Sequence, residues 1–104
     1  YTYWGLENER APFGTVKVII HPLAKVIRRA AMKCCGKLTT CDMHDDVEII
    51  EKAAFEDCDA LKTITLSKNL KKIGDNAFRG CYNMESCLMH DNVEDLEIRL
   101  SAIA

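Results

Sequence analysis

Apolar positions recur along this chain in columns spaced 23 residues apart. Ala24, Val47, Leu70 and Val93 form one column, and Ile27, Ile50, Ile73 and Leu96 form another. Ala31, Ala54 and Ala77 run beside Met32, Phe55 and Phe78, while Leu38, Leu61 and Met84 make a further set. Val18, Cys41, Ile64 and Cys87 align, as do Ile20, Met43, Leu66 and Met89, with a hydroxyl column at Thr40, Thr63 and Ser86. A fixed period of this length is the signature of supersecondary units that bury their apolar faces against each other in a stack.

The charged columns alternate in sign. Lys25, Glu48, Lys71 and Glu94 occupy one; Lys33, Glu56 and Arg79 a second; Asp45, Lys68 and Asp91 a third. In-register coils would bring such residues to about 5 Å, the strand spacing of a sheet. There, opposite charges attract and like charges repel by tenths of a kcal/mol to about 1 kcal/mol. Stacked coils in register favour this alternation.

Within one unit the local period changes. Ile50, Ala54, Phe55 and Cys58 have helical spacing and predict a short helix. Leu61 to Leu66 alternates at Ile64 and Leu66 with β-branched residues between, which predicts a short strand. Ser67-Lys68-Asn69 reads as a polar turn, and Leu70 to Ile73 as a second extended piece. Gly36, Gly74 and Gly80 fall at turns suited to positive φ. The expected fold is therefore an α/β solenoid, each coil a short helix and a short strand. Its divisions are a lead-in or cap over 1–23, full repeats at 24–46, 47–69 and 70–92, and a partial repeat or cap over 93–104.

Composition narrows the function classes. The chain has 104 residues, 48% hydrophobic and 29% charged, with a net charge of −2. That is one domain, with room for a modest core but not for a core plus a large catalytic cavity. No stretch approaches the ~18 apolar residues of a membrane span. Fourteen Lys and Arg against 16 Asp and Glu argue against a dedicated nucleic-acid binder. No leader pattern is visible; the absent initial Met fits a removed leader or a piece of a longer chain.

These columns resemble the BspA-like leucine-rich repeats, whose unit runs Ile-Gly-x-x-Ala-Phe-x-x-Cys-x-x-Leu-x-x-Ile-x-Leu. Ile73-Gly74-Asp75-Asn76-Ala77-Phe78-Arg79-Gly80-Cys81 matches it nearly residue for residue. Ile50 to Leu66 carries Glu51 for Gly, and Ile27 to Met43 has Met32 for Phe and Cys41 for Ile. The opening resembles the lead-in of protist and algal members. The tail after Leu96 departs from the pattern. The resemblance implies a leucine-rich-repeat solenoid that binds proteins or surfaces and has no catalytic chemistry.

The repeat register also assigns places to the cysteines, histidines and bases. Cys35, Cys58 and Cys81 share an inward column, and Cys41 and Cys87 share the strand column, so five of six cysteines are expected as packing residues. Cys41 and Cys87 lie two coils apart, about 10 Å by sheet spacing, beyond disulfide reach. Unpaired thiols favour a reducing intracellular or organellar compartment over secretion. Cys34 alone faces outward. With a His and an Asp it could be imagined as a nucleophile, but the register puts it on a different part of the coil from His21, His44 and His90. That His column, with Asp45 and Asp46, reads as a polar turn rather than a metal site. The basic residues Lys25, Arg28, Arg29, Lys33 and Lys37 face Glu48, Glu51 and Glu56 of the next coil, which suits ion pairing better than phosphate binding. No catalytic, cofactor or metal residue is expected.

What is left is a surface. The outward strand positions Lys17, Ile19, Thr40, Asp42, Thr63, Thr65, Ser86 and Leu88 form a grid suited to a partner. Tyr1, Tyr3 and Trp4 suit a cap over the first coil. The expected function is a non-enzymatic protein-interaction or scaffold module, alternatively a cell-surface adhesion fragment. The apolar tail Leu96, Ile98, Leu100 and Ile103 suggests that an end contacts a neighbouring subunit.

Overall fold

The computed structural model describes residues 1–88, with Ser86–Leu88 described by backbone alone. Met89, His90, Asp91, Val93, Glu94 and the apolar tail from Leu96, assigned above to columns or ends, lie outside the described residues. Eight strands follow the chain: β1 Thr2–Tyr3, β2 Lys17–Ile20, β3 Val26–Ile27, β4 Thr40–Asp42, β5 Ile49–Ile50, β6 Thr63–Thr65, β7 Lys72–Ile73 and β8 Ser86–Leu88. They form two parallel sheets, ordered β1-β2-β4-β6-β8 and β3-β5-β7. The pairs Val18↔Cys41, Cys41↔Ile64 and Ile64↔Cys87 fix the 23-residue register on one sheet. Ile27↔Ile50 and Ile50↔Ile73 fix it on the other. Both extended pieces expected in each coil are therefore present.

The apolar columns line the inside of the stack. Val18, Ile27, Met32, Leu38, Val47, Ile50, Phe55, Leu61, Ile64 and Phe78 are almost fully buried in one cluster. Met43, Ile73 and Met84 pack against it from half-buried positions. The Phe55 and Phe78 rings lie nearly parallel, with centroids 5.2 Å apart, as neighbours in one column should.

The expected short helices are not formed; among the described residues each becomes a ladder of tight turns. The reason lies in where the backbone donors go. The N–H groups of Ala53, Phe55 and Asp57 donate to the carbonyls of Asp75, Ala77 and Arg79 in the next coil. The intervening N–H groups of Ala54, Glu56 and Cys58 close i→i−3 turns onto Glu51, Ala53 and Phe55. Ala30, Met32 and Cys34 repeat the cross-coil half of the pattern one coil earlier. An α-helix would commit every N–H to its own i−4 carbonyl and leave none for the stack.

That backbone needs two left-handed residues per coil. They are Ala30, Ala53 and Asn76 (φ 55°, 59° and 59°) and, four residues on, Cys34, Asp57 and Gly80 (φ 64°, 61° and 80°). Such φ values break a right-handed helix and are uncommon outside glycine, Asn and Asp. Of the three glycines expected at positive φ, only Gly80 adopts it. Gly74 is required for closeness instead: a Cβ there would lie 2.5 Å from the Lys52 backbone nitrogen. Gly36 has open space around it.

The lead-in is a shortened coil. Tyr3 pairs with Ile20, only 17 residues on, so six residues of a full unit are missing. The Tyr3 side chain takes over one of their hydrogen bonds. It is fully buried, and its hydroxyl accepts the Arg28 N–H at 2.9 Å. In later coils the equivalent donors, Glu51 N–H and Gly74 N–H, bond to the carbonyls of Ile27 and Ile50. A phenol thus replaces the missing coil's carbonyl. Ala11 adds one ladder rung by donating to the Ala31 carbonyl. Glu9 ties the lead-in together by accepting from the Tyr1 hydroxyl at 2.6 Å and from the Trp4 and Leu6 N–H groups. Burial would raise the Glu9 carboxyl, but these hydrogen bonds outweigh it and hold it below the ordinary range. The same carboxylate pushes the Tyr1 hydroxyl up to about 12.

Candidate interaction surface

Strand alternation decides what the larger sheet presents. Along β2, Val18 and Ile20 are buried while Lys17 and Ile19 are exposed. Along β6, Ile64 is buried between exposed Thr63 and Thr65. On β4, Asp42 is exposed and Thr40 half-buried. Ser86 and Leu88 pair with Thr63 and Thr65 by backbone register. Lys17, Ile19, Asp42, Thr63 and Thr65 therefore lie exposed on one face, at the strand spacing of a parallel sheet. Two of these bind each other: Lys17 Nζ lies 3.3 Å from Asp42. An exposed pair of this kind adds about 0–1 kcal/mol and can yield to a partner's charge.

Two further ion pairs join neighbouring coils along the alternating columns. Lys71 Nζ donates to Glu48 at 3.0 Å, and this hydrogen bond holds the Glu48 carboxyl below the usual range. Lys33 lies 3.5 Å from Glu56. A cleft of about 530 Å³ opens beside Lys25, Lys68 and Lys71, but Asp46 and Glu48 line it as well, and its Lys71 is already paired. It is a solvated corner of mixed charge.

His21 and His44 have structural roles that spacing does not reveal. His44 Nδ1 accepts the Asp46 N–H at 3.1 Å, which leaves the proton on Nε2. Nε2 then donates to the carbonyls of His21 and Ala24 in the preceding coil, at 3.0 and 2.9 Å. His21 Nδ1 accepts the Leu23 N–H, and its ring stacks on Trp4 with centroids 3.8 Å apart. Ser67, next in the column, accepts the Asn69 N–H and donates to the Asp45 carbonyl. The shared feature is a side-chain acceptor for the N–H two residues on, and either His or Ser supplies it.

The buried thiols of Cys35, Cys41, Cys58 and Cys81 are equally structural. Cys58 Sγ and Cys81 Sγ donate to the carbonyls of Met32 and Phe55, at 3.1 and 3.2 Å. Cys35 Sγ lies 3.8 and 3.7 Å from the carbonyls of Ala11 and Pro12. Burial pushes Cys41 up to about 12 and Cys81 up to about 11, and raises Cys35 and Cys58 as well. These thiols are held in the unreactive form. Cys34 is exposed and unpaired. It sits on the turn ladder, while both ring nitrogens of His44 are engaged by main chain elsewhere. Among the described residues no cluster of three or more His, Cys, Asp or Glu could hold a metal ion. No helix among them is long and apolar enough to cross a membrane.

Comparison with known families agrees with this geometry. The model for BspA type leucine rich repeat region matches residues 15–100 in six copies. Neither the curated proteins nor the solved structures contain a significant match. The matched span covers most of the chain, beginning just ahead of β2. The chain belongs to the BspA-type leucine-rich repeat family.

Proposed function

We propose that this chain is a non-enzymatic protein-interaction module, and that the outer face of the five-stranded sheet receives the partner. The carrying observation is the face itself: exposed Lys17, Ile19, Asp42, Thr63 and Thr65 on parallel strands in one register. Parallel strands with core on only one side leave the other face free, whereas parallel sheets are ordinarily covered on both. Short polar side chains there allow close backbone approach, and Ile19, 45% exposed, supplies an apolar contact. Leucine-rich repeats typically bind proteins, which supports the same reading.

A photoreactive residue placed at Thr63 or Thr65 should crosslink to one partner species in an extract of the native source. The same residue at exposed Lys72, on the smaller sheet, should not. Equal crosslinking from both faces, or crosslinking from Lys72 alone, contradicts the assignment.

A further inference from the structure

One charged column breaks the alternation that the rest of the stack obeys. Over residues 16–88, charged residues 23 apart are opposite in sign at every position but one, where Arg29 is followed by Lys52. Each stands two residues beyond a strand residue of one register pair, Ile27 of β3 and Ile50 of β5, at the entry to the turn ladder. The Ala30 N–H donates to the Lys52 carbonyl at 3.1 Å, so the two backbones are in contact here. The fold thus holds two like charges about one strand spacing apart, where they repel.

The acids that the register offers to these bases are spent elsewhere. The columns set Glu48 beside Lys25, Glu51 beside Arg28 and Glu56 beside Lys33, yet only the last of these ion pairs closes. Glu48 takes Lys71 instead, and Glu51 Oε1 accepts the Arg29 main-chain N–H at 3.1 Å. The ion pairs among the described residues are Lys17–Asp42, Lys33–Glu56 and Lys71–Glu48, so Arg28, Arg29 and Lys52 are in none of them. All three are exposed. Arg28 Nε donates to the Gly5 carbonyl at 3.1 Å, which fixes that guanidinium toward the lead-in. Its charge adds to the local field, and Arg29 and Lys52 remain as the unspent cations of the corner.

We propose that Arg29 and Lys52 form a binding site for a phosphate monoester, presented by a phosphorylated side chain of a protein partner. A phosphate monoester carries about −1.5 to −2 charges at neutral pH and three acceptor oxygens, so one group relieves both cations at once. The Arg29 fork suits two of its oxygens, and the Lys52 ammonium a third. A carboxylate brings only one charge. The site is also bounded, by Glu51 beside it and by Asp75 next in its column. An extended anionic surface such as a membrane would meet those carboxylates, whereas a single phosphate does not. The corner belongs to the turn side of the coils, apart from the sheet face that the proposed function assigns, and does not depend on that reading.

NMR titration of the full isotope-labelled chain with phosphoserine blocked at both ends tests this, at constant ionic strength. Saturable shifts are expected at the Arg29 guanidinium and at the Ala30 and Lys52 amides. The double variant Arg29→Gln, Lys52→Gln should keep the wild-type circular dichroism and bind at least about tenfold more weakly, since charge-assisted bonds are lost. Lys62→Gln, on another part of the coil, should bind as the wild type does. Affinity should fall between pH 7 and pH 5, as the phosphate takes up its second proton near about pH 6. Blocked aspartate should bind at least about tenfold less tightly than blocked phosphoserine. No saturable shift, equal affinity for the aspartate, or a double variant that binds as the wild type does overturns the proposal. So does flotation with phosphatidylserine vesicles that the double variant loses, which would make the corner a membrane contact.

Discussion

Replacing Tyr3 with Ala should destabilise the chain by about 3–5 kcal/mol, the range for truncating a fully buried aromatic side chain. The structural reason is specific. Tyr3 is fully buried in a lead-in six residues shorter than a full unit, and its hydroxyl satisfies the Arg28 N–H. Tyr3→Phe separates the two contributions. It keeps the ring and removes the acceptor, and should cost about 1–3 kcal/mol through the unsatisfied donor. Urea unfolding followed by circular dichroism reads both, as a lowered midpoint at unchanged slope. If Tyr3→Ala shifted the midpoint no more than an ordinary surface substitution, the lead-in would not be a cap. Since small domains hold only about 5–15 kcal/mol in all, the Ala variant should lie near the edge of folding.

The second large effect belongs to Gly74. A methyl group there would meet the Glu51 and Lys52 backbone of the preceding coil, which cannot rotate away as a side chain could. Gly74→Ala must therefore separate two coils that the Gly74 N–H, bonded to the Ile50 carbonyl at 2.7 Å, holds together. We expect a loss of about 1–3 kcal/mol, with overpacking of this kind occasionally costing more. Gly36→Ala is the matched control. Nothing lies within 4 Å of its Cβ position, and the change should stay within about 0.5 kcal/mol. Equal midpoints for the two variants would contradict the close approach at Gly74.

Much of the stack is legible in the order of residues along the chain. Columns of Ile27, Ile50 and Ile73, or of Phe55 and Phe78, are a direct consequence of one coil lying on the next, so the period alone yields the register. Charge follows for the same reason: Glu48 with Lys71 and Lys33 with Glu56 pair where their columns predict. The outward grid from Lys17 to Thr65 is also readable, because side chains alternate across a strand.

The turn ladder is not readable in the same way. Ile50, Ala54, Phe55 and Cys58 face the core with spacing that an α-helix would share, and apolar spacing reports only which side chains point inward. What separates the two backbones is positive φ, twice per coil. Glycine would have advertised it, but only Gly80 does so; Ala30, Ala53 and Cys34 adopt the same conformation without the usual marker. Cys34, the cysteine that the packing columns leave over, is thus the occupant of a left-handed turn position. Tyr3 is hidden for a related reason. Its role depends on a missing coil, and a column search finds what repeats rather than what replaces a repeat.

These coils are joined by cross-coil hydrogen bonds on the turn side as well as through the sheets. Scalar coupling across hydrogen bonds, measured by NMR on the isotope-labelled chain, reads this directly. Coupling is expected from the Phe55 amide nitrogen to the Ala77 carbonyl carbon, and from that of Asp57 to Arg79. Coupling from the Phe55 nitrogen to the Glu51 carbonyl instead, the i−4 partner of an α-helix, would contradict it.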